Sequence, residues 1–354
     1  MIFSRPLPFL HRVTPTREMA VQATSGLRHR AAVVVYGRTI GRKLRVIGVE
    51  YVFAQPAQPD QRQAAILAVS AFDGVHREQQ RLLAEAGALA QQAGAILVAL
   101  LPWPPFTEEA APEGLLTTLG ERLALVEAYA PTAQVAILPA DVANPWAPAS
   151  LVERITSGWN VKALVVDPSA DEQLCGIELA EAARQHGLRA YELSPTSDNA
   201  APAGAFIRSA ITEGRVAEAS RALTYDYTLI GEVVGGDRRG RLLGFPTANL
   251  RVDAGKVIPA NGIYAVRVGL PGEREARRPA VASVGVRPTF GDDNARLVEV
   301  HLLDLSMDLY GIRIATAFVE WLRPEERFAS VEALIHQMAA DVRQARQRLA
   351  EQRQ

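Results

Sequence analysis

The stretch Gly231–Asn249, GEVVGGDRRGRLLGFPTAN, decides how the chain is read. The β-branched pair Val233 and Val234 closes a strand-like run. A segment dense in glycine and arginine follows, ending in Gly244-Phe245-Pro246-Thr247-Ala248-Asn249. Gly235, Gly236, Gly240 and Gly244 let the backbone turn tightly and approach a ligand, and successive amide N–H groups in such a turn can line an anion site. Arg238, Arg239 and Arg241 add positive charge. Thr247 and Asn249 offer a hydroxyl and an amide oxygen, hard ligands that Mg²⁺ accepts beside phosphates and water. No GxxxxGK[ST] occurs, so this is not a P-loop. On composition alone the stretch is a Gly-rich hairpin followed by a Pro-initiated turn.

Short strands with Gly and Pro turns surround it: Tyr227–Val234, Gly262–Leu270, Ala280–Val286, Leu297–Leu303 and Ile314–Leu322. That spacing predicts a small antiparallel β-barrel. A helix from Ser330 to about Ala350 follows, with Val331, Leu334, Ile335 and Met338 at helical spacing. In Leu297-Val298-Glu299-Val300-His301, alternation puts 297, 299 and 301 on one face. The pattern leaves Glu299 as either a barrel-surface carboxylate or a site carboxylate.

Upstream, strands alternate with helices. Ala64–Val69, Ala95–Leu101, Gln134–Leu138, Ala163–Val166 and Ala190–Leu193 read as strands. Glu78–Gln92, Thr118–Tyr129, Ser150–Thr156, Glu172–His186 and Ser209–Ala222 read as helices. Such alternation predicts a parallel sheet covered on both faces. The expected division is an N-terminal extension (1–63), an α/β domain (64–224) and the barrel domain (225–354). In the extension, Ala31–Tyr36 and Leu44–Phe53 read as a β-hairpin around the basic turn 37–43.

At 354 residues, with 48% hydrophobic residues, the chain has ample material for two cores. A net charge of −1 argues against a global field for nucleic acid. The single cysteine, Cys175, excludes an intramolecular disulfide and fits a reducing compartment, and no Cys/His cluster suggests zinc. The longest apolar run, Ala93–Leu101, is far short of a membrane span. Arg5 and His11 interrupt the first stretch and no cleavage site follows, so no secretory signal is expected. The expectation is a cytoplasmic protein with no membrane or nucleic-acid partner.

The Gly231–Asn249 stretch resembles the signature of riboflavin kinases, the ATP-dependent enzymes that make FMN. The likeness continues in order through Asn261-Gly262-Ile263-Tyr264, Gly285–Phe290, Val298–Asp304, Asp308-Leu309-Tyr310-Gly311 and Leu322-Arg323-Pro324-Glu325, with Phe328 and Asp341 beyond. One departure is visible: Gly235 stands where the family usually has His before Gly-Asp. The resemblance implies that Glu299 is the general base for the ribityl 5′-hydroxyl and that Thr247 and Asn249 hold Mg²⁺. It further implies that Gly235, Gly236, Gly240, Arg241 and Gly244 cradle ATP beside Thr247 and Asn249, and that Arg287 and Arg323 contact flavin. Riboflavin and ATP would be the substrates, FMN and ADP the products. No tightly bound cofactor is expected.

Phe72-Asp73-Gly74-Val75-His76, at a strand-to-helix turn, resembles the start of the HxGH signature. The order of the following pieces resembles the FMN adenylyltransferase module of bacterial bifunctional riboflavin kinase/FAD synthetases. The chemistry-bearing positions differ. His76-Arg77-Glu78-Gln79 replaces HxGH with a carboxylate at the glycine and Gln79 at the second histidine. Ala99–Pro104 keeps only the prolines of its family segment, and Ala203–Arg208 lacks the hydroxyls and first arginine of its own. His76 alone more often caps a helix than catalyses. The reading is therefore a riboflavin kinase whose adenylyltransferase-like domain is inactive. A fully bifunctional enzyme and a non-catalytic flavin- or nucleotide-binding protein are the alternatives.

Overall fold

The computed structural model describes residues 33–35, 43–46, 49–52, 63–103, 114–139, 147–168, 176–194, 203–236, 240, 243–273, 276–286, 296–305 and 307–352. The chain forms two compact units. One comprises Pro15–Pro112 and Leu116–Phe206, the other Ile207–Gln354 with Glu113–Leu115.

The first unit is α/β. Its elements are β1 (Val33–Val35), β2 (Lys43–Val46), β3 (Val49–Val52), β4 (Ala64–Val69), α1 (Arg77–Gln92), β5 (Ile96–Trp103), α2 (Leu119–Tyr129) and β6 (Gln134–Pro139). They continue through α3 (Pro148–Gly158), β7 (Asn160–Val166), α4 (Gly176–Gln185) and β8 (Arg189–Glu192). The parallel sheet has the order β1-β6-β5-β4-β7-β8. Its central strands are uninterrupted apolar runs, buried on both faces: Ala65–Val69 and Val98–Leu101 are almost wholly enclosed. The expected N-terminal hairpin is corrected. Val33–Val35 pairs in parallel with Val135–Ile137 of β6, while β2 and β3 pair with each other. The second expected strand is two short antiparallel strands, with Lys43–Val46 paired to Val49–Val52.

The order of strands reverses beside β4, and in open parallel sheets the crevice at such a point is where ligands bind. The turn leaving β4 is tightly wound, with Phe72 at φ +50°, Gly74 at +87° and Val75 at +41°. A buried polar network holds it. Asp73 Oδ1 accepts from Arg122 (2.7 Å), from the Thr117 hydroxyl (2.8 Å) and from the Thr117 amide (2.8 Å), while Oδ2 accepts from the Leu116 amide (3.0 Å). Arg122 also donates to the carbonyl oxygens of Ala71 and Thr117. Both side chains are fully enclosed, so each charge depends on the other and on these hydrogen bonds. Thr118 and Glu121 form a capping box that starts α2 and sets Arg122 in place.

The second unit opens with the helices α5 (Ala203–Thr212), which begins in the last residues of the first unit, and α6 (Val216–Leu223). The single helix expected over Ser209–Ala222 is broken between them, where Gly214 takes φ +81°. A closed barrel follows: β9 (Tyr227–Val234), β10 (Ala248–Val252), β11 (Gly262–Gly269), β12 (Arg278–Val286), β13 (Arg296–Leu302) and β14 (Arg313–Arg323), in the order β10-β13-β12-β11-β14-β9, with β9 paired back to β10. The five expected strands are present, and β10 is the addition: Ala248 and Asn249 begin a strand rather than end a turn. Val298, Val300, Ala280, Ala282 and Val284 fill the interior, where Tyr264 and Phe318 meet edge to face at 5.2 Å. Helix α7 (Val331–Glu351), capped by Ser330, packs Ala345 and Leu349 on Ala265 and Val319. No helix among the described residues is long and apolar enough to cross a membrane.

The buried pair makes a direct prediction. Arg122→Met leaves Asp73 enclosed without its cation and is expected to destabilise the α/β unit by about 3–5 kcal/mol. Hydrogen exchange of the β4 and β7 amides, compared with those of the barrel strands, measures this.

Candidate active site

Closure of the barrel brings the separated motifs together. In the β10–β13 ladder Asn249 lies opposite Glu299, and in the β12–β13 ladder Ser283 lies opposite Glu299 from the other side. Val298, Val300 and Leu302 face inward, so Leu297, Glu299 and His301 face outward. The outward face of β12 and β13 forms one wall of a cavity of about 810 Å³. Gly240, Leu243, Phe245 and Thr247 line the rest, with residues of α7 including Leu334, Met338 and Val342.

Thr247 stands just before β10, and its hydroxyl donates to Glu299 Oε2 at 3.1 Å. Asn249 is 9% exposed, on the same strand and in the same cavity. A base candidate and two hard oxygen donors thus converge from sequence positions some fifty residues apart. Gly236 is required for this: a Cβ there would fall within the Asn249 amide. Gly244, at φ +85°, supplies the left-handed turn that brings Phe245–Thr247 back toward the barrel. Gly240 also lines the cavity, while Gly235 is exposed and is not among its lining residues. Arg241 and Arg287, expected to contact ATP and flavin, lie outside the described residues.

Arg323 lines the cavity, but its guanidinium is already committed. It donates to both oxygens of Asp341 at 2.8 and 2.7 Å and to the Pro324 carbonyl at 2.9 Å, with the Phe328 ring 5.8 Å away. The hydrogen bonds to Asp341 hold its pKa above the ordinary arginine value, against the opposing effect of burial. Its evident work is to tie the end of β14 to α7. Two residues not singled out as site residues beforehand also belong to the wall. Ser283 donates to Glu325 at 3.2 Å, and His301 meets the carbonyl of Pro246. The alternation that exposes Glu299 was the available signal for His301. Nothing in the sequence pairs Ser283 with Glu325.

The adenylyltransferase-like positions fall in the α/β unit. His76 is the N-cap residue of α1, and its amide donates to Gln79 Oε1 at 3.2 Å. Gln79 Nε2 donates to Ser70 at 3.1 Å, so both ends of this buried amide have protein partners. Glu78 sits in the first turn of α1 and pairs with Arg81 at 2.7 Å. A carboxylate there complements the positive helix end, the position an anionic ligand would otherwise occupy.

The family model for riboflavin kinase (flavokinase) matches residues 223–349. The bifunctional riboflavin kinase/FMN adenylyltransferase of Pseudomonas fluorescens is 33% identical over 317 residues, covering 82% of this chain and 94% of that protein. The protein of the same name from Listeria monocytogenes is 44% identical over 140 residues, covering 40% of this chain and 44% of that protein. A Streptococcus pneumoniae structure described as a macrolide-efflux protein aligns with TM-score 0.67 at 24% identity, over 80% of this chain and 94% of that one, a likeness of fold.

The Arg323–Asp341 tether is expected to contribute to stability. Asp341→Asn removes a charge-assisted, nearly enclosed pair and is expected to lower barrel-unit stability by about 1.5–3 kcal/mol, as read from the urea unfolding midpoint.

Proposed function

The chain belongs to the family of bifunctional riboflavin kinase/FMN adenylyltransferases, and from this premise we propose that its barrel transfers the ATP γ-phosphate to the 5′-hydroxyl of riboflavin, giving FMN and ADP. The observation that carries the reading is the convergence of Thr247, Asn249 and Glu299 on one cavity, with Thr247 bonded to Glu299.

Phosphoryl transfer needs little covalent chemistry from the protein. It needs in-line placement, charge stabilisation and a base for the attacking hydroxyl. Glu299 is the only one of the three whose side chain is a carboxylate. It accepts the ribityl 5′-hydroxyl proton as that oxygen bonds to the γ-phosphorus and the bond to the ADP oxygen breaks. The Gly-rich stretch, through Gly236, Gly240 and Gly244, would leave room for the nucleotide's phosphates, with Arg241 adding charge. The apolar wall of α7 would accept the flavin ring system, with Arg323, held by Asp341, at its edge and Arg287 as a further contact that the family likeness implies.

Mg²⁺ fits the residues at hand. A hydroxyl and an amide oxygen are hard donors, and their small number suits an ion that keeps water and phosphate ligands. Among the described residues no cluster of three or more His, Cys, Asp or Glu side chains offers a different metal site. Thr247 and Asn249 would hold the ion. When bound, it offsets charge on the phosphates. The single cysteine is consistent with a cytoplasmic location.

The α/β unit is proposed to have lost adenylyl transfer. Gln79 is tied at both ends and Glu78 places a negative charge where phosphates would dock. The bifunctional reading is favoured by the match over 82% of the chain, and a direct assay separates the two. Riboflavin, ATP and Mg²⁺ are expected to yield FMN without FAD, and FMN with ATP to yield no FAD; FAD formation at an ordinary rate would overturn the loss of function. Glu299→Gln is expected to lower kcat by about 10²–10⁴-fold with the fold retained, as followed by FMN formation and circular dichroism. Full turnover in that variant would remove Glu299 from the mechanism.

A further inference from the structure

The wall of the cavity holds a residue that the kinase mechanism does not use. His301 stands two positions after Glu299 on the same outward face of β13. Its Nδ1 lies 2.8 Å from the Pro246 carbonyl oxygen. A carbonyl can only accept, so Nδ1 carries the hydrogen. The imidazole also meets the Phe245 ring edge to face, with centroids 5.5 Å apart and planes at 65°. Phe245 in turn donates its amide to Gly240 at 2.8 Å, closing the turn that Leu243 also bonds at 3.1 Å.

We infer that His301 is a positioning residue for nucleotide binding, pinning the Leu243–Thr247 segment to the barrel wall through Pro246 and Phe245. The inference rests on the kinase reading and deepens it. Gly244, which leads into Phe245 and Pro246, takes φ +85° and has no side chain to anchor it. Pro246 immediately precedes Thr247, so fixing its carbonyl limits where the Thr247 hydroxyl can go. Glu299 and His301 share one strand face, which couples the base and the turn through a single rigid element. The histidine therefore acts on the nucleotide side of the proposed site through the turn, while α7 carries the proposed flavin side.

The shapes of the amide side chains provide the test. Asn places an N–H where the imidazole has Nδ1, and Gln places one nearer Nε2. His301→Ala and His301→Gln are expected to raise the KM for ATP about tenfold, the worth of one hydrogen bond, and to leave the KM for riboflavin within about twofold. His301→Asn should recover most of the loss. Titration with ADP in Mg²⁺ buffer should show the same order without relying on turnover, and Phe245→Leu should reproduce part of the effect.

Wild-type affinity in all three His301 variants would overturn the inference. So would rescue by Gln but not Asn, which would assign the work to Nε2. An equal rise in both KM values with a lowered unfolding midpoint would reduce His301 to a fold-holding residue. If the alanine variant fails to fold, the Asn–Gln comparison decides. A wild-type protein that binds ADP but forms no FMN would defeat the kinase reading, and the binding series would still judge His301.

Discussion

Register between β10 and β13 is the constraint on which the barrel site depends. Asn249 faces Glu299 only because these strands pair as they do. Side chains alternate along a strand, so a slip of one residue would bury Glu299 in the core and turn Val298 and Val300 outward. The hydrophobic cost of that exchange protects the site geometry. The core side chains Val298, Val300 and Leu302 specify the position of the chemistry without touching it. Barrel closure reinforces this, because β10 is held on its other side by β9 and cannot shift alone.

The two units solve similar structural problems with different consequences for chemistry. In the α/β unit, the loop at the switch point is held by the Asp73–Arg122 pair and by Gln79 bridging Ser70 and the His76 amide. Polar groups that could meet a ligand instead satisfy one another. In the barrel, the core is mostly apolar, and the polar groups Thr247, Asn249 and Glu299 stand at its outer wall facing a cavity. One arrangement encloses its polar side chains to stabilise a loop; the other sets them on the wall of a cavity.

Much of this was legible in the sequence, because alternation and turn residues are local signals. The βα repeats and the five longer barrel strands are examples. Strand β10 was not, since Ala248 and Asn249 follow directly on a Gly-Phe-Pro turn and β10 itself has only five residues. The edge position of β1 depends on pairing with β6, about a hundred residues away in sequence, which no local pattern encodes. Arg122 did carry a signal: a cation among Leu119, Leu123 and Val126 on a core-facing helix requires an enclosed partner. Its identity as Asp73 required the fold. Arg323 illustrates the opposite limit. Its residue type suits a ligand contact, whereas its bidentate bond with Asp341 gives it a structural task visible only in three dimensions.

The closed barrel also has a bearing on self-association. A ring of paired strands offers no free row of backbone donors and acceptors, so the barrel presents no template for another chain. The parallel sheet ends at β8, a four-residue strand that is largely exposed, with Tyr191 at 41% exposure beside Arg189 and Glu192. Its shortness and its flanking charges are the usual protections of such an edge. At this edge the side chains of Arg189 and Glu192 thus serve as charged guards against pairing with another strand, a task separate from any chemistry.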